Sequence, residues 1–344
     1  MIDWVTAVIP CSHDNLVHDG QIISISPDGE LQWKSERKLL VRGSDESAIH
    51  VRTSRDHLHT HLYIDGNPVK FLQGHNLWGT DDLIPLVYAL MQKLTLILGL
   101  NPTDLDIHHW ATGFYDLKKI DINYTWHLRS KADVLAWIRA AEYAARLRYR
   151  GNGVLKGNTL YFGKHSRRWG LKAYSKGDEV IARGHELPER LQDPRIQDWA
   201  NKSLRLEVRL HSLELKERGL HFGSKWGHNR PTEIHQELLS GLEMSDNYTI
   251  PDADLPNLPG SLQTAYLAWK DGHDLRAIYS RPTFYRYRNK LLAHGIDIAN
   301  VQSRDPSNVV PLIRVLEAKP VGIPEWALTP DLYFDPPKIA VNSR

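Results

Sequence analysis

One short stretch of the sequence places a tyrosine between two lysines in a pattern that could do chemistry. The segment WGLKAYSK, residues 169–176, alternates apolar and polar side chains, so one face of a strand would carry Lys172, Tyr174 and Lys176. A phenol with a pKa near 10 is only about one part in a thousand ionised at neutral pH, so a tyrosine nucleophile needs help. Either lysine could stabilise the phenolate during attack on a phosphate.

Two other strand-like segments supply carboxylates and further cations. In KIDINYTWHL the face opposite the isoleucines carries Asp121, and in SLRLEVRLH Glu207 stands between Arg205 and Arg209. If these strands share a sheet with Tyr174, one face gathers a phenol, two carboxylates and several cations. A divalent ion, Mg²⁺ or Mn²⁺, held by Asp121 and Glu207 could polarise phosphodiester oxygens. The arginines could orient Glu207 or grip DNA phosphates. The combination favours phosphoryl transfer.

Each of these residues also has a plainer explanation that the sequence leaves open. A single tyrosine on a strand can be a half-buried strand former, and Arg-x-Glu-x-Arg can be a surface ladder of salt bridges. Aspartate is disfavoured in strands, so Asp121 between two isoleucines is unusual, yet a structural hydrogen bond explains it as well as a metal does. The joint occurrence of these residues is therefore what supports phosphoryl transfer.

A group of histidines is the weaker candidate for a metal site. The segment HLHTHLYI, residues 57–64, would place His57, His59 and His61 on one strand face at a spacing suited to metal ligands. The letters His-Leu-His also match the His-hydrophobe-His string of one large class of tyrosine-using nickases. The chain contains 18 histidines, so chance clusters are common.

Period-2 alternation marks the strands that must position these residues. The predicted strands are 57–64, 119–128, 158–163, 169–176 and 203–211. Between them, Ser130 caps a predicted helix over residues 131–150, with Asp133 at the capping-box position and an apolar stripe along one side. Clustered strands with helices between them predict an α+β domain with a largely antiparallel sheet flanked by helices.

The most apolar run, residues 83–100, predicts a buried helix and not a membrane span, because it contains Pro85, Gln92 and Lys93. The N-terminal residues MIDWVTAVIP lack the charged start and apolar core of a signal peptide. A single cysteine, Cys11, cannot form an intramolecular disulfide, which is typical of a reducing compartment such as the cytoplasm and excludes a thiolate metal cluster.

Charge and composition vary along the chain. The net charge is only +2, but residues 143–176 contain nine lysines and arginines and no acid, which predicts a local cationic surface. Residues 245–260, SDNYTIPDADLPNLPG, read as an exposed linker. We therefore expect an N-terminal domain over 1–244 and a helical module over 261–318. A proline-rich tail over 319–344 should be extended on the surface or disordered.

The module after the linker predicts three short helices with tight turns, which resemble a helix-turn-helix. The third helix interleaves aromatic residues with cations and has no acid, as contacts to phosphates and bases require. Its candidate DNA contacts are Arg281, Tyr285, Arg286, Arg288 and Lys290. The alternative is a basic solvated helix on a small bundle.

Several strings follow, in order, the pattern of the filamentous-phage replication initiators of the gene II and gene X type. These strings are LQGHN at 72–76, IDINYTW from Ile120, AYSK from Ala173, LRLEVR from Leu204, FYRYRNKLLAHGI from Phe284 and NVVPLIRVL from Asn308. The resemblance runs from near the start to about Trp326, and LQGHN and NVVPLIR are its more specific strings. Tyr-x-Lys and Arg-x-Glu-x-Arg are weak signals alone.

The resemblance implies a rolling-circle initiator. Such a protein nicks the plus strand of double-stranded origin DNA, becomes linked to the 5′ phosphate through a tyrosine, and later cuts and rejoins the displaced single strand. Host polymerase extends the freed 3′ hydroxyl, and a host helicase is an expected partner, in the host cytoplasm and without a membrane. Carried over to this chain, Tyr174 resembles the nucleophile and Lys176 its companion, while Asp121 and Glu207 correspond to metal ligands.

Other functions remain open at the sequence level. A non-catalytic, sequence-specific DNA-binding regulator would need only the helical module. A tyrosine recombinase would need a helical tyrosine near the C-terminus with an Arg/His set and no metal, whereas the context of Tyr174 is a strand. The sequence leaves open whether Tyr115, Tyr124 or Tyr161 acts as a second tyrosine, and whether several copies assemble on the origin. Lys172, Arg205 and Arg209 are the candidate DNA contacts near Tyr174.

Overall fold

The computed structural model describes residues 1–57, 59–244, 258–271, 273–292, 296, 298 and 312–339. In chain order the elements up to residue 127 are β1 (Ile2–Pro10), β2 (Gln21–Ile25), β3 (Leu31–Glu36), β4 (Leu39–Arg42), β5 (Ala48–Thr53), β6 (His61–Gly66), α1 (Pro68–Gln73), α2 (Leu83–Leu98), α3 (Asp104–Thr112) and β7 (Asp116–His127).

The second half of this domain alternates helices and strands. Its elements are α4 (Lys131–Ala144), β8 (Ala145–Leu147), β9 (Gly151–Asn152), β10 (Val154–Lys156), β11 (Thr159–Phe162), β12 (Trp169–Ser175), α5 (Lys176–Glu179), α6 (Pro194–Lys202), β13 (Ser203–His211), α7 (Ser212–Glu217), α8 (Arg230–Leu239) and β14 (Leu242–Met244). The helices further along the chain are α9 (Gly260–Lys270), α10 (Leu275–Ile278), α11 (Arg281–Leu292) and α12 (Leu312–Glu317).

A nine-stranded antiparallel sheet organises the fold, in the order β10-β11-β12-β13-β7-β1-β6-β5-β4. The three strands that carry the candidate site, β12, β13 and β7, are direct neighbours. Two smaller sheets stand beside it: the β2–β3 hairpin, and β8 between β14 and β9. The mixed class with a largely antiparallel sheet is therefore confirmed for the N-terminal region.

Alternation decides which face of the large sheet is apolar. Ile120 and Ile122 of β7, together with Leu206 and Val208 of β13, are fully buried and share one core with helix α4, which contributes Trp137. Each strand therefore sends its aliphatic residues towards the helices, as the sequence predicts. The opposite face takes the polar residues.

The structure confirms the predicted helices, but their ends differ from the predicted ones. Ser130 caps α4 by accepting a hydrogen bond from the Asp133 amide at 3.2 Å, but the helix ends at Ala144 and not at residue 150. Ala145 and Leu147 are buried on either side of exposed Arg146, which is the period of a strand, and this segment becomes β8. The buried helix predicted from the apolar run is α2. Within the described ranges no helix combines the length and apolarity needed to cross a membrane.

Two strand predictions need correction. The predicted strand 57–64 begins only at His61, because the preceding residues form a turn in which His59 has a φ of 64°. The strand 169–176 stops at Ser175, and Lys176 begins α5. Ser175 ends the strand by capping that helix, since its side chain accepts from the Asp178 amide at 3.2 Å.

The three helices α9, α10 and α11 confirm that this part of the chain is helical, and they share a small core of their own. That core includes Leu262, Tyr266, Trp269, Leu275 and Phe284. Helix α12 was predicted to belong to the same module, but its Val315 and Leu316 pack against the core of the large sheet. Most of the predicted linker, residues 245–257, lies outside the described residues, so the division of the chain otherwise stays a prediction.

The chain from Lys319 to residue 339, called here the C-terminal strap, is mostly extended and packs on the N-terminal domain. Val321 donates its amide to the Thr125 carbonyl at 2.8 Å. Further along, the strap contributes to a third apolar cluster with Trp78 and Trp199. This stretch lies mostly extended on the surface, and residues 340–344 lie outside the described ranges.

Candidate active site

Strand register brings the predicted residues together on the polar face of the sheet. Between β12 and β13, Lys172 stands opposite Glu207 and Tyr174 opposite Arg205. Between β13 and β7, Arg209 stands opposite Asp121. Because residues opposite each other in antiparallel strands point to the same face, these side chains form one cluster.

The acids and the tyrosine on this polar face are buried. Asp121 and Glu207 are each 1% exposed and Tyr174 is 7% exposed. Together they line a cavity of about 700 Å³. Further lining residues are Asp3, Trp4, Asn76, Tyr161, Lys172 and Arg209. The cluster is therefore a recessed site in which charges interact strongly.

Tyr174 contacts a carboxylate directly. Its hydroxyl donates to Glu207 Oε2 at 3.3 Å, and Lys172 Nζ lies 5.1 Å from the centre of its ring. Burial raises the pKa of Tyr174 well above its ordinary value, and the charges of Glu179 and Glu207 raise it further. The phenol is therefore neutral at rest, and it has a proton acceptor and a cation beside it.

Glu207 is the most perturbed acid of the cluster. Burial raises its pKa to about 7, against the opposing effect of Lys172, and the neighbouring Asp121 raises it further. Lys172 Nζ lies 2.8 Å from Oε1, yet this oxygen accepts no well-oriented hydrogen bond within the described residues. Burial alone lowers the pKa of Lys172, but its contact with Glu207 more than offsets this and the pKa is raised.

Asp121 is held by an arginine fork. Arg209 donates from Nε at 2.9 Å and from Nη2 at 2.6 Å to the two carboxylate oxygens. The hydrogen bond to Asp121 raises the pKa of Arg209. Arg209 Nη2 also lies 3.9 Å from Glu207 Oε1, so Arg209 orients both acids while its side chain remains partly exposed.

Lys176 occupies a different position from the one predicted. As the first residue of α5 it is 0% exposed, and its amine donates to Asn76 Oδ1 at 2.8 Å and pairs with Glu179. Burial lowers its pKa to about 8, while Glu179 acts in the opposite direction. The cation directly over the Tyr174 ring is Lys172.

Arg205 is also buried, and protein atoms satisfy it. Its Nη1 donates to the Asn76 carbonyl at 2.6 Å, its Nη2 donates to the Leu77 carbonyl, and its Nε donates to Thr125 Oγ1 at 3.2 Å. A guanidinium with this burial and these acceptors holds a loop in place. The arrangement argues against the predicted contact between Arg205 and DNA.

Arg205 thereby holds the end of the string LQGHN, whose place the sequence did not predict. Leu72 and Gln73 end α1, and the residues from Gly74 to Asn76 leave the helix, so this segment is called the LQGHN loop. Asn76 joins two buried charges of the site, because its Nδ2 donates to Asp3 Oδ1 at 3.0 Å and its Oδ1 accepts from Lys176. Asp3 itself was missed, although an aspartate within the apolar IDWV is as unusual as Asp121. Burial raises the pKa of Asp3, and Glu207 raises it further.

The histidines do not form the predicted metal set. The rings of His57 and His61 lie 4.4 Å apart, while His59 Nδ1 lies 3.1 Å from the His13 carbonyl oxygen. Over the described part of the chain, no three His, Cys, Asp or Glu side chains converge as a set that could hold a metal. The prediction of a common strand face is wrong, because the strand begins only at His61.

Of the three candidate second tyrosines, Tyr161 is the one that lines the cavity with Tyr174. Tyr124 points to the opposite face of the sheet, where its hydroxyl donates to Asp81 at 2.8 Å. Tyr115 is buried in the main core. The geometry therefore favours Tyr161 among the three.

Helix α11 exposes most of its predicted DNA contacts. Phe284 packs into the small core, which turns Arg281, Tyr285, Arg286 and Lys290 outwards to exposed positions. Arg288 is half-buried and is not free of partners. The exposed set forms a basic face with one aromatic residue.

The fold and site define a class of protein in which a tyrosine, two carboxylates and several cations lie on an antiparallel sheet, with a basic helical module further along the chain. The family described as the N-terminal part of the phage replication-associated protein, the gene II protein, matches residues 1–229, and its C-terminal counterpart matches residues 254–333. The replication-associated protein of Enterobacteria phage I2-2 is 43% identical over 331 residues, which are 94% of this chain and 95% of that protein. The chain belongs to the replication-associated gene II protein family of filamentous phages.

Proposed function

We propose that the protein initiates rolling-circle DNA replication by nicking the origin plus strand with Tyr174. The observation that carries the proposal is the Tyr174 hydroxyl, which donates to Glu207 Oε2 at 3.3 Å beneath the amine of Lys172. A buried phenol with an adjacent carboxylate and an adjacent cation has what a tyrosine nucleophile needs. Membership of a replication-associated family supports the biological role.

The reaction is a transesterification. The Tyr174 oxygen attacks phosphorus, its proton passes to Glu207 Oε2, and the bond from phosphorus to the 3′ oxygen breaks. The leaving 3′ oxygen takes up a proton, and the 5′ phosphate remains on the tyrosine. The reverse reaction reseals a strand without a nucleotide cofactor, because the bond energy is kept in the phosphotyrosine. Lys172 stabilises the phenolate as it forms.

A divalent ion, Mg²⁺ or Mn²⁺, fits the residues beside Tyr174. Asp121 and Glu207 are adjacent buried carboxylates, and the Glu207 Oε1 atom lacks a well-oriented hydrogen bond among the described residues. Mg²⁺ is commonly bound through one or two carboxylates together with substrate phosphates. When bound, the ion supplies charge that polarises a phosphodiester oxygen. We assign Asp121 and Glu207 to hold it, with Arg209 orienting Asp121.

We assign the remaining cations to substrate and positioning. Lys172 and Arg209 are partly exposed at the cavity and can meet the scissile phosphate. Lys176 adds positive potential under the site and holds Asn76. The exposed basic face of α11 is assigned to double-stranded origin DNA. Host polymerase and a host helicase, in the host cytoplasm, complete the proposed partners, and several copies can assemble on the origin.

The test is nicking of supercoiled DNA that carries the cognate origin, with Mg²⁺. The parent protein should yield nicked circles with protein on the 5′ end, and mass spectrometry of the linked peptide should identify Tyr174. Tyr174→Phe should reduce nicking to background, while the matched control Tyr161→Phe should retain the first nick. Full nicking by Tyr174→Phe would refute the nucleophile. Absence of nicking by the parent protein, with origin binding lost only when α11 is altered, would instead support a non-catalytic DNA-binding regulator.

A further inference from the structure

We propose that the sheet face beyond the tyrosine site binds single-stranded DNA, with Trp4 and Tyr63 as stacking platforms for unpaired bases. The inference rests on the proposed function, because it locates the strand on which Tyr174 acts. It concerns binding, however, and can be tested without cleavage.

Trp4 and Tyr63 share a face with the catalytic cluster. Trp4 of β1 stands opposite Asp121 of β7, and it lines the same cavity as Tyr174. Trp4 Nε1 donates at 2.8 Å to Asp65 Oδ1 on β6, and Tyr63 lies two residues before Asp65, which places it on the same face. Since β1 is three strands from β12, Trp4 is about 14 Å from the Tyr174 strand.

One cation lies over the Trp4 ring and two lie over the Tyr63 ring. Lys119 Nζ lies 4.8 Å from the centre of the Trp4 ring. The guanidinium of Arg52 and the amine of Lys38 lie 4.8 Å and 5.0 Å from the centre of the Tyr63 ring. Both rings are partly exposed. Aromatic rings with cations that follow the phosphates are what single-strand sites combine.

Asp65 holds this arrangement in place. Besides Trp4, it accepts from Lys38 Nζ at 2.7 Å and lies 3.6 Å from Lys119 Nζ. Burial acts to raise the pKa of Asp65, but its hydrogen bonds outweigh that effect and the pKa is lowered. Lys38 and Lys119 thus share one carboxylate. Arg52 adds a third cation beside the Tyr63 ring, and the acids that act on it are Glu36 and Asp56.

The chemistry of the platform selects a single strand over a duplex. A duplex keeps its bases stacked on each other and presents phosphates and groove edges to a protein. A single strand offers the faces of its bases, and any base can stack on an aromatic ring. The row from Tyr174 to Tyr63 therefore fits the unpaired strand next to a cleavage point.

The experiment measures the binding of a fluorescein-labelled oligothymidylate of about 16 nucleotides to full-length protein by anisotropy, with Tyr174→Phe as the parent. Trp4→Ala and Tyr63→Ala should each raise the Kd by about 5- to 150-fold. Trp4→Phe loses the Nε1 bond to Asp65 but keeps an aromatic ring. Because the ring can still stack on a base, this variant should retain most of the affinity. This variant separates stacking from damage to the fold.

Tyr149→Ala is the matched control, because Tyr149 is an exposed ring with Arg148 5.1 Å from its centre, on the turn between β8 and β9. It should leave the Kd unchanged. Equal affinity of the Trp4→Ala, Tyr63→Ala and parent proteins would overturn the proposal. An equal loss with Tyr149→Ala, or an equal loss for a duplex of the same length, would also overturn it. Nicking by Tyr174→Phe would refute the nucleophile and leave the binding result standing.

Discussion

At the scale of single residues, Glu207 has the environment that distinguishes the site. It is buried beside a second carboxylate, and its pKa is raised to about 7. The folded protein therefore binds a proton at Glu207 more tightly than the unfolded chain does. Between the ordinary glutamate value and about 7, the unfolded chain has lost this proton while the folded protein keeps it, so rising pH lowers the free energy of unfolding.

Glu207→Gln should reveal this cost in thermal unfolding without divalent metal. Glutamine resembles the protonated acid, so the melting temperature of Glu207→Gln relative to that of the parent should increase from pH 5 to pH 8. A pKa shift from 4.5 to about 7 corresponds to about 3 kcal/mol. Added Mg²⁺ at pH 8 should stabilise the parent and not the variant. A difference in melting temperature that is the same at both pH values would contradict the raised pKa.

At the scale of elements, the candidate active site is formed by three strands together with one loop. The strands place Tyr174, Glu207 and Asp121 by register, but the LQGHN loop closes the site, since Asn76 accepts from Lys176 and donates to Asp3. Lys176 is charged below its pKa of about 8 and loses that charge as the pH rises through this value. We therefore expect nicking to decline above about pH 8.

Asn76→Ala should change both the rate and the pH dependence of nicking. Removing an acceptor from the buried ammonium of Lys176 lowers its pKa further, so the alkaline decline should move to lower pH. The rate should fall about 5- to 150-fold, because a lost buried hydrogen bond costs about 1–3 kcal/mol. Asn67→Ala is the matched control, because Asn67 Nδ2 also donates to Asp3, at 2.7 Å. It should leave the alkaline decline in place.

An unchanged alkaline decline in Asn76→Ala would refute the coupling between Asn76 and Lys176. The variant Lys176→Met gives a second check, since the decline should be absent when no amine titrates there.

The sequence predicted the strands of the site and not the parts that cover them. Period-2 alternation located β7, β12 and β13 within a few residues, and the acids and Tyr174 followed from it. The same reasoning failed for His57 and Lys176, which lie just beyond strand ends, where a turn and a helix cap redirect the side chains. The place of Asn76 could not be predicted, because it depends on contacts between residues distant in the chain.

At the scale of the whole molecule, the two kinds of DNA contact that we propose rest on separate apolar cores. The large sheet carries the tyrosine site, while α9, α10 and α11 enclose a small core that leaves a basic face outside. A basic helix face contributes mainly through phosphates, so its effect on affinity depends on salt. We therefore expect duplex binding to depend on the helical module, and cleavage of a DNA strand to depend on the large sheet.

Substituting Arg281, Arg286 and Lys290 of α11 with alanine should weaken binding to origin duplex. The slope of log K against log salt should fall by about 1 for each lost phosphate contact. Nicking of a single-stranded oligonucleotide that contains the cleavage site should stay at the parent rate. Lys202→Ala, which removes a partly exposed cation on α6 that pairs with Asp198, is the control and should not change the slope. A loss of single-strand nicking in the α11 variant would contradict this division of roles.

The C-terminal strap also bears on how the protein is made. The LQGHN loop bonds to it directly: His75 Nε2 lies 2.9 Å from the Leu332 carbonyl oxygen, 257 residues away in sequence, and Gln73 Oε1 accepts from the Phe334 amide at 2.9 Å. Contacts of such sequence separation form late in folding. A chain still on the ribosome thus has its tyrosine strand long before the loop has all its partners, and the site is completed only near the end of synthesis.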